Sequence, residues 1–203
     1  MYYLTHGGFL MYFILFMSIL GLTGIIERFF YFLKNEKHNI MELPKQIKTY
    51  LKENNIRAAI EFYHSEKSST SSVLKSILIE IYKNPSISEI KLEEKGKERA
   101  MIQLQKLDKN MWLISLTAHL TPLLGLLGTV IGMIKAFQSV AMHGTGDPGA
   151  LANGISEALF TTAGGLFVAI PALIFYNYYN KKIDKIVADI EINVTELINN
   201  YKN

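Results

Sequence analysis

Two threonines and one glutamate stand where an apolar chain has least use for them. Thr129 lies in "GLLGTVIGMIKAF", and Glu157 and Thr162 lie in "GISEALFTTAGGLFVAIPALIFYN". A hydroxyl both donates and accepts hydrogen bonds without titrating near neutral pH, so it can serve a moving proton without holding it. A carboxylate can handle protons, set a conformation, or stabilise the start of a helix through the helix dipole. Residue spacing leaves these roles open. Each threonine either lines a polar path or bonds a backbone carbonyl of its own helix. His119 is either a proton relay or a packed, hydrogen-bonded side chain. Other chemistry has no support. The chain has no cysteine, so disulfides and thiolate metal sites are excluded. It contains neither H-E-x-x-H nor G-x-S-x-G, and "GLLGTVIG" lacks the Lys-Ser/Thr ending of a phosphate-binding loop. No catalytic residue, cofactor or metal is expected, and the reading is not that of an enzyme. A net charge of +3 gives no argument for nucleic acid.

The elements that must hold these residues are apolar and long. No Lys, Arg, Asp or Glu occurs in residues 1–26, 111–134 or 158–180. A membrane-spanning helix needs roughly 20 mostly apolar residues, so each run is long enough to cross. A cleaved signal peptide would need a basic segment before the apolar run. None precedes "GGFLMYFILFMSILGLTGII", and Glu27 and Arg28 follow it, so this run is expected to be the first span.

Basic residues near span ends stay on the cytoplasmic side. Most of the Lys and Arg fall in residues 34–109, while "QSVAMHGTGDPGALANG" has neither. The N-terminus and this short connection are therefore expected outside, and the large loop and the tail inside. Tyr31, Trp112, Tyr176, Tyr178 and Tyr179 fall at the expected cytoplasmic interface, where such rings concentrate. The soluble parts read as helices. Leu74, Ile77, Leu78 and Ile81 share one helical face, and Ile183, Ile186, Val187, Ile190, Val194, Leu197, Ile198 and Tyr201 share another. "SEIKLEEKGKERAMIQLQKLDKN", with only Gly96 as a breaker, is expected to run as one helix into the second span. Breaks are expected at Asn54-Asn55, within "SEKSSTSS" and at Asn84-Pro85. The fold class is thus an all-α integral membrane protein, with three transmembrane helices and long helical cytoplasmic extensions. The expected division is an outside segment and first span (1–33), a cytoplasmic helical loop (34–110), the second span (111–138), a periplasmic loop (139–153), the third span (154–180) and a cytoplasmic helix (181–203).

Small residues recur on the second and third spans. Thr121, Gly125, Gly128, Thr129 and Gly132 cluster on one side of the former. Ala158, Thr162, Gly165 and Ala169 do so on the latter. Such faces let helix backbones approach closely in lipid. Pro122 and Pro171 each remove an intrahelical hydrogen bond and are expected to kink their helices. Counted along antiparallel spans, Thr129 and Thr162 reach similar heights, about 5 Å outward of the midplane.

The two quoted motifs, with the opening "GGFLMYFILFMSILGLTGIIER", resemble the ExbB/TolQ/MotA family of proton channels, and its three-span ExbB branch most. The resemblance covers the three spans in order and is weak from Lys34 to about Ser88. It implies a homopentamer in the bacterial inner membrane, with a periplasmic N-terminus and a cytoplasmic C-terminus. An ExbD-like single-span protein inside the pore would carry the titrating Asp, and a TonB-like protein would pass the proton motive force to outer-membrane transport. By motif position, Thr129 and Thr162 match the family's pore threonines and Glu157 its acidic position. Lys135 departs from the family pattern and is expected to extend toward the outer headgroups. A TolQ-type subunit for envelope maintenance and a non-conducting membrane scaffold are the alternatives.

Overall fold

The structure is a computed structural model that describes residues 8–36, 42–64, 66–143 and 148–202. The described residues form seven α-helices and no strand: α1 (Leu10–Asn35), α2 (Lys45–Lys52), α3 (Ile56–Phe62), α4 (Ser69–Lys83), α5 (Glu89–Leu107), α6 (Met111–His143) and α7 (Pro148–Lys202). Within them, three helices are long and apolar enough to cross a membrane, at Leu10–Asn35, Met111–Met142 and Leu151–Lys202. Only 22% to 28% of the most apolar window in each is buried. Phe16, Leu123, Phe137, Phe167 and Ile174 all point outward. Rings and aliphatic chains in water would forfeit the hydrophobic effect at each of these positions. The fold is that of a multi-pass, all-helical membrane protein.

Helix boundaries differ from the sequence expectation in two places. The helix expected to run without interruption into the second span stops at Leu107, and α6 starts at Met111. Asn110 adopts φ +62°, the left-handed conformation that asparagine tolerates better than most residues and that ends a helix. Helix α6 continues to His143 and α7 begins at Pro148, so helical structure enters the expected 139–153 loop from both sides. Residues 144–147 lie outside the described residues. The third span and the tail form one helix, α7, with no break near residue 180. Pro122 and Pro171 lie inside α6 and α7, each of which runs on as one helix past its proline.

The described residues divide into two compact units. One is drawn from Met1–Arg28 and Asn110–Tyr178 and holds the apolar parts of α1, α6 and α7. The other is drawn from Phe29–Lys109 and Tyr179–Asn203.

The second unit has a core of large aliphatic side chains. Ile47, Leu74, Ile77, Leu78, Ile190 and Leu197 are all buried. Its helices stop where the sequence marks them. Asn54 takes φ +52°, and the Asn55 side chain caps α3 by accepting from Ala58 N. Within "SEKSSTSS" the break lies on its N-terminal side, because Ser68 caps α4 by accepting from Ser71 N and Ser69 to Ser72 are already helical. Gly96 does not break α5. It meets α7 at close range: a Cβ there would lie 2.9 Å from Val194 Cγ1. Tyr179, at the expected cytoplasmic interface, is buried, stacked on Phe32 with ring centroids 5.5 Å apart.

Glu36 accepts from both the backbone N (3.0 Å) and the hydroxyl (2.6 Å) of Ser69, holding the start of α4. Burial pushes its carboxyl above the usual carboxylate range, against the Ser69 hydrogen bonds. Glu196 behaves oppositely. The Lys48 ammonium beside it holds its carboxyl below the usual range, and Leu43 N donates to it at 3.0 Å.

Candidate functional site: the interface of the second and third spans

Within the first unit, α6 and α7 lie so close that glycine is required at several points. A Cβ on Gly125 would lie 2.9 Å from the Thr162 Cα. One on Gly132 would lie 2.7 Å from the Ala158 Cβ and 2.9 Å from the Gly154 carbonyl oxygen. One on Gly165 would lie 2.5 Å from the Thr121 carbonyl oxygen. Gly128 faces Thr161, and Ala158 and Ala169 are buried. The small residues singled out from the sequence, Gly125, Gly128, Gly132, Ala158, Gly165 and Ala169, therefore gather along one side of each helix. Backbone contact of this kind gains van der Waals energy where lipid supplies no hydrophobic driving force.

The first span docks by the same device, which the sequence reading passed over. A Cβ on Gly21 would strike the Thr117 side chain, and one on Gly24 would lie 3.0 Å from Ile114 Cγ1. Thr117 donates to Leu113 O on its own helix (2.9 Å) and to Met17 O on α1 (3.2 Å). The signal was present in "GLTG", two glycines three residues apart in an otherwise bulky span.

The two threonines have different partners, and only Thr162 bonds across the α6–α7 seam. Thr162 Oγ1 donates across it to Gly125 O at 2.8 Å. Thr129 Oγ1 donates to Leu126 O of its own helix at 2.6 Å. The two hydroxyls thus bond successive carbonyls of α6, which a helix separates by ~1.5 Å along its axis. Both residues remain partly exposed. With each proton already donated to a carbonyl, each hydroxyl oxygen keeps lone pairs for accepting. Such oxygens can receive a hydrogen bond from a protonated carboxyl or a water. Thr161, next in sequence, is buried and donates to Glu157 O at 2.9 Å.

Glu157 does not stand alone. Lys135 Nζ lies 3.0 Å from Glu157 Oε1. Lys135 therefore does not extend alone toward headgroups; its ammonium is drawn to the carboxylate on the neighbouring span. The sequence held the signal, since the two are the charges that bound the charge-free runs of α6 and α7 at the same end. His119 donates from Nδ1 to Ser115 O at 2.7 Å, because a carbonyl can only accept, and its ring meets Tyr176 edge-on at 6.2 Å. Among the described residues no group of three or more His, Asp or Glu is placed to hold a metal ion.

The chain matches the MotA/TolQ/ExbB proton channel family over residues 65–192, a stretch holding α4 to α6 and most of α7. Over 186 residues, 92% of the chain, it is 25% identical to a putative biopolymer transport protein ExbB homolog of Methanothermobacter thermautotrophicus, and covers 64% of that protein. Over 90 residues, 44% of the chain, it is 38% identical to the biopolymer transport protein exbB1 of Vibrio cholerae, covering 40% of it. Over 98 residues, 48% of the chain, it is 35% identical to the biopolymer transport protein ExbB of Aquifex aeolicus, covering 66% of it. The chain thus spans less than two thirds of the length of each of these relatives. A match over more than half the chain, on an all-helical protein with three candidate spans, settles the family as one of channels and not enzymes: this chain belongs to the MotA/TolQ/ExbB proton channel family.

Proposed function

We propose that the chain is the ring-forming subunit of an ExbB-type proton-conducting complex in a bacterial inner membrane. Its N-terminus lies outside, and the 34–110 segment and the tail from residue 181 lie in the cytoplasm. The observation that carries the reading is a pair of threonine hydroxyls on two spans whose charge-free runs hold no acid. Thr162 lies at the seam of two spans that hold no Asp, Glu, Lys or Arg in residues 111–134 and 158–180, Thr129 lies on α6 one turn past Gly125, the partner of Thr162, and both threonine hydroxyls have their donors engaged. Threonine does not ionise near neutral pH. Such a chain conducts protons only if a titrating group comes from elsewhere. A single-span, ExbD-like partner bearing an Asp, enclosed by a homopentamer of this chain, supplies one. When that Asp is protonated it donates to Thr129, nearer the outer end of α6, and then to Thr162, nearer the cytoplasm. Glu157 and Lys135 pair outward of Thr129, at the outer end of these spans and outside the hydroxyl path. Each proton crossing 100 mV releases about 2.3 kcal/mol, which a TonB-like protein would deliver to uptake at an outer membrane. The names of the relatives, biopolymer transport proteins, support this reading over a TolQ-type role in envelope maintenance.

Proton flux into liposomes holding the chain with and without its single-span partner tests the reading. Flux that requires the partner and its Asp is expected. Equal flux from the chain alone would contradict it.

A further inference from the structure

The Glu157 carboxylate meets Lys135 and Gly8 at one end of the membrane unit. Lys135, at the far end of the charge-free run of α6, places its ammonium 3.0 Å from Glu157 Oε1. Thr161, one turn further along α7, donates to the Glu157 carbonyl at 2.9 Å. Gly8, in the turn that opens α1, packs against the carboxylate itself. It adopts φ +65°, and a Cβ there would occupy the place of the carboxylate. The pair spans sequence positions 22 residues apart and is the contact through which two spans and the entry to the third share one charged group. An acid whose purpose is to load and unload protons gains nothing from an ammonium within hydrogen-bond distance, because the ammonium competes with the proton for the same oxygens. An acid whose purpose is to fix helices gains charge neutrality from it beside lipid, where unpaired charges are costly.

We propose that Lys135 is a positioning residue whose ammonium closes a charge-neutral clasp with Glu157, tying α6, α7 and the turn before α1 together, and that Glu157 serves the channel through this clasp and not by carrying protons. The flux part of this statement rests on the proton-channel reading above; the clasp itself does not.

The test uses the full chain, purified with its single-span partner, in five forms beside the wild type: Lys135→Met, Glu157→Gln, the double neutral Lys135→Met/Glu157→Gln, the charge swap Lys135→Glu/Glu157→Lys, and Lys135→Arg. Three quantities are read: melting temperature in detergent, proton flux in liposomes, and the pH profile of that flux. Each single neutralisation strands one charge, and flux should fall about tenfold. The double neutral and the swap should recover to within roughly twofold of wild type, since contacting residues couple non-additively. Lys135→Arg should behave as wild type. The pH profile of the double neutral should overlay that of the wild type, a result that a proton-carrying Glu157 forbids. The proposal is overturned if Lys135→Met conducts normally while Glu157→Gln and the double neutral are both silent. It is also overturned if the melting temperatures of the two single variants add without coupling in the double. If the wild type itself conducts nothing, the channel reading fails, yet the melting-temperature cycle still decides the clasp. Singles that fail to assemble while the double assembles support it, and a double that fails with them overturns it.

Discussion

The two units solve opposite packing problems with opposite residues. In the membrane unit many large side chains face out, as Phe167, Leu123 and Ile174 do, and glycine and alanine fill the α6–α7 contacts. In the other unit Leu74, Ile77 and Leu78 are fully buried, and charged side chains such as Arg57 and Glu61 stand in solvent. Polar groups differ in the same sense. Threonines of the membrane unit give their protons to backbone carbonyls, as Thr117, Thr121 and Thr162 do. The second unit uses carboxylates and serines to hold helix starts, as Glu36, Ser68 and Ser69 do. The lesson is that burial has no fixed composition. Where water surrounds the unit, size inside is stabilising. Where lipid surrounds it, closeness inside is what remains to be gained.

The comparison can be broken most forcefully by exchanging the two rules. Removing volume from the second unit should cost most: Leu74→Ala should destabilise by about 2–5 kcal/mol, read as a lower denaturation midpoint in detergent. Adding volume to the membrane unit comes next. Gly132→Ala and Gly165→Ala each drive a methyl into atoms that cannot move aside, and should cost about 1–3 kcal/mol with a loss of assembled complex on gel filtration. An unchanged Gly132→Ala protein would mean that the spans are not in backbone contact. Smaller still is Thr117→Val, which deletes the bond to Met17 O. Interhelical hydrogen bonds in membranes average about 0.6 kcal/mol, so this variant should assemble and melt only slightly earlier.

The smallest expected effect is a difference of sign with pH. Glu36 has its folded carboxyl raised by burial. The folded state therefore holds more protons there than the unfolded one, and stability from this group falls as pH rises from the unfolded carboxylate range through the raised value. Glu196, lowered by Lys48, adds stability above the unfolded range and loses it as pH falls through the lowered value. Melting temperatures of Glu36→Gln and Glu196→Gln across acid pH should diverge from wild type in opposite directions. Parallel curves would contradict the assignment of these two environments.

Much of this architecture was legible in the sequence because its signals are long. Charge-free runs of more than twenty residues have few interpretations, and the apolar faces of α4 and of the tail repeat over several turns. What escaped was short or relational. The stop at Leu107 depends on one asparagine taking a left-handed conformation, which composition does not announce. Tyr179 reads as an interface aromatic, but its burial against Phe32 is not written in its type. Asp189 and Asn193 lie on the buried face of the tail, among aliphatic residues that drew the eye first. Thr129 and Thr162 were readable as a pair, but not the direction of their hydroxyls. That direction changes their chemistry, because an engaged donor leaves an acceptor. Lys135 was readable as an exception, and its partner emerged only once α6 and α7 were set side by side.

The central claim is that two non-titrating hydroxyls, and not an acid of this chain, line the proton path. Its most direct test is proton flux in liposomes holding the chain with its single-span partner, comparing Thr162→Val and Thr161→Val at matched complex yield. The exchange keeps shape and removes the hydroxyl in both. Thr162→Val should lower flux by roughly a hundredfold, the order seen when a positioned proton-transfer group is lost. Thr161→Val, which gives up a bond to its own helix, should retain most of the flux. Equal flux in the two variants at normal yield would contradict the account.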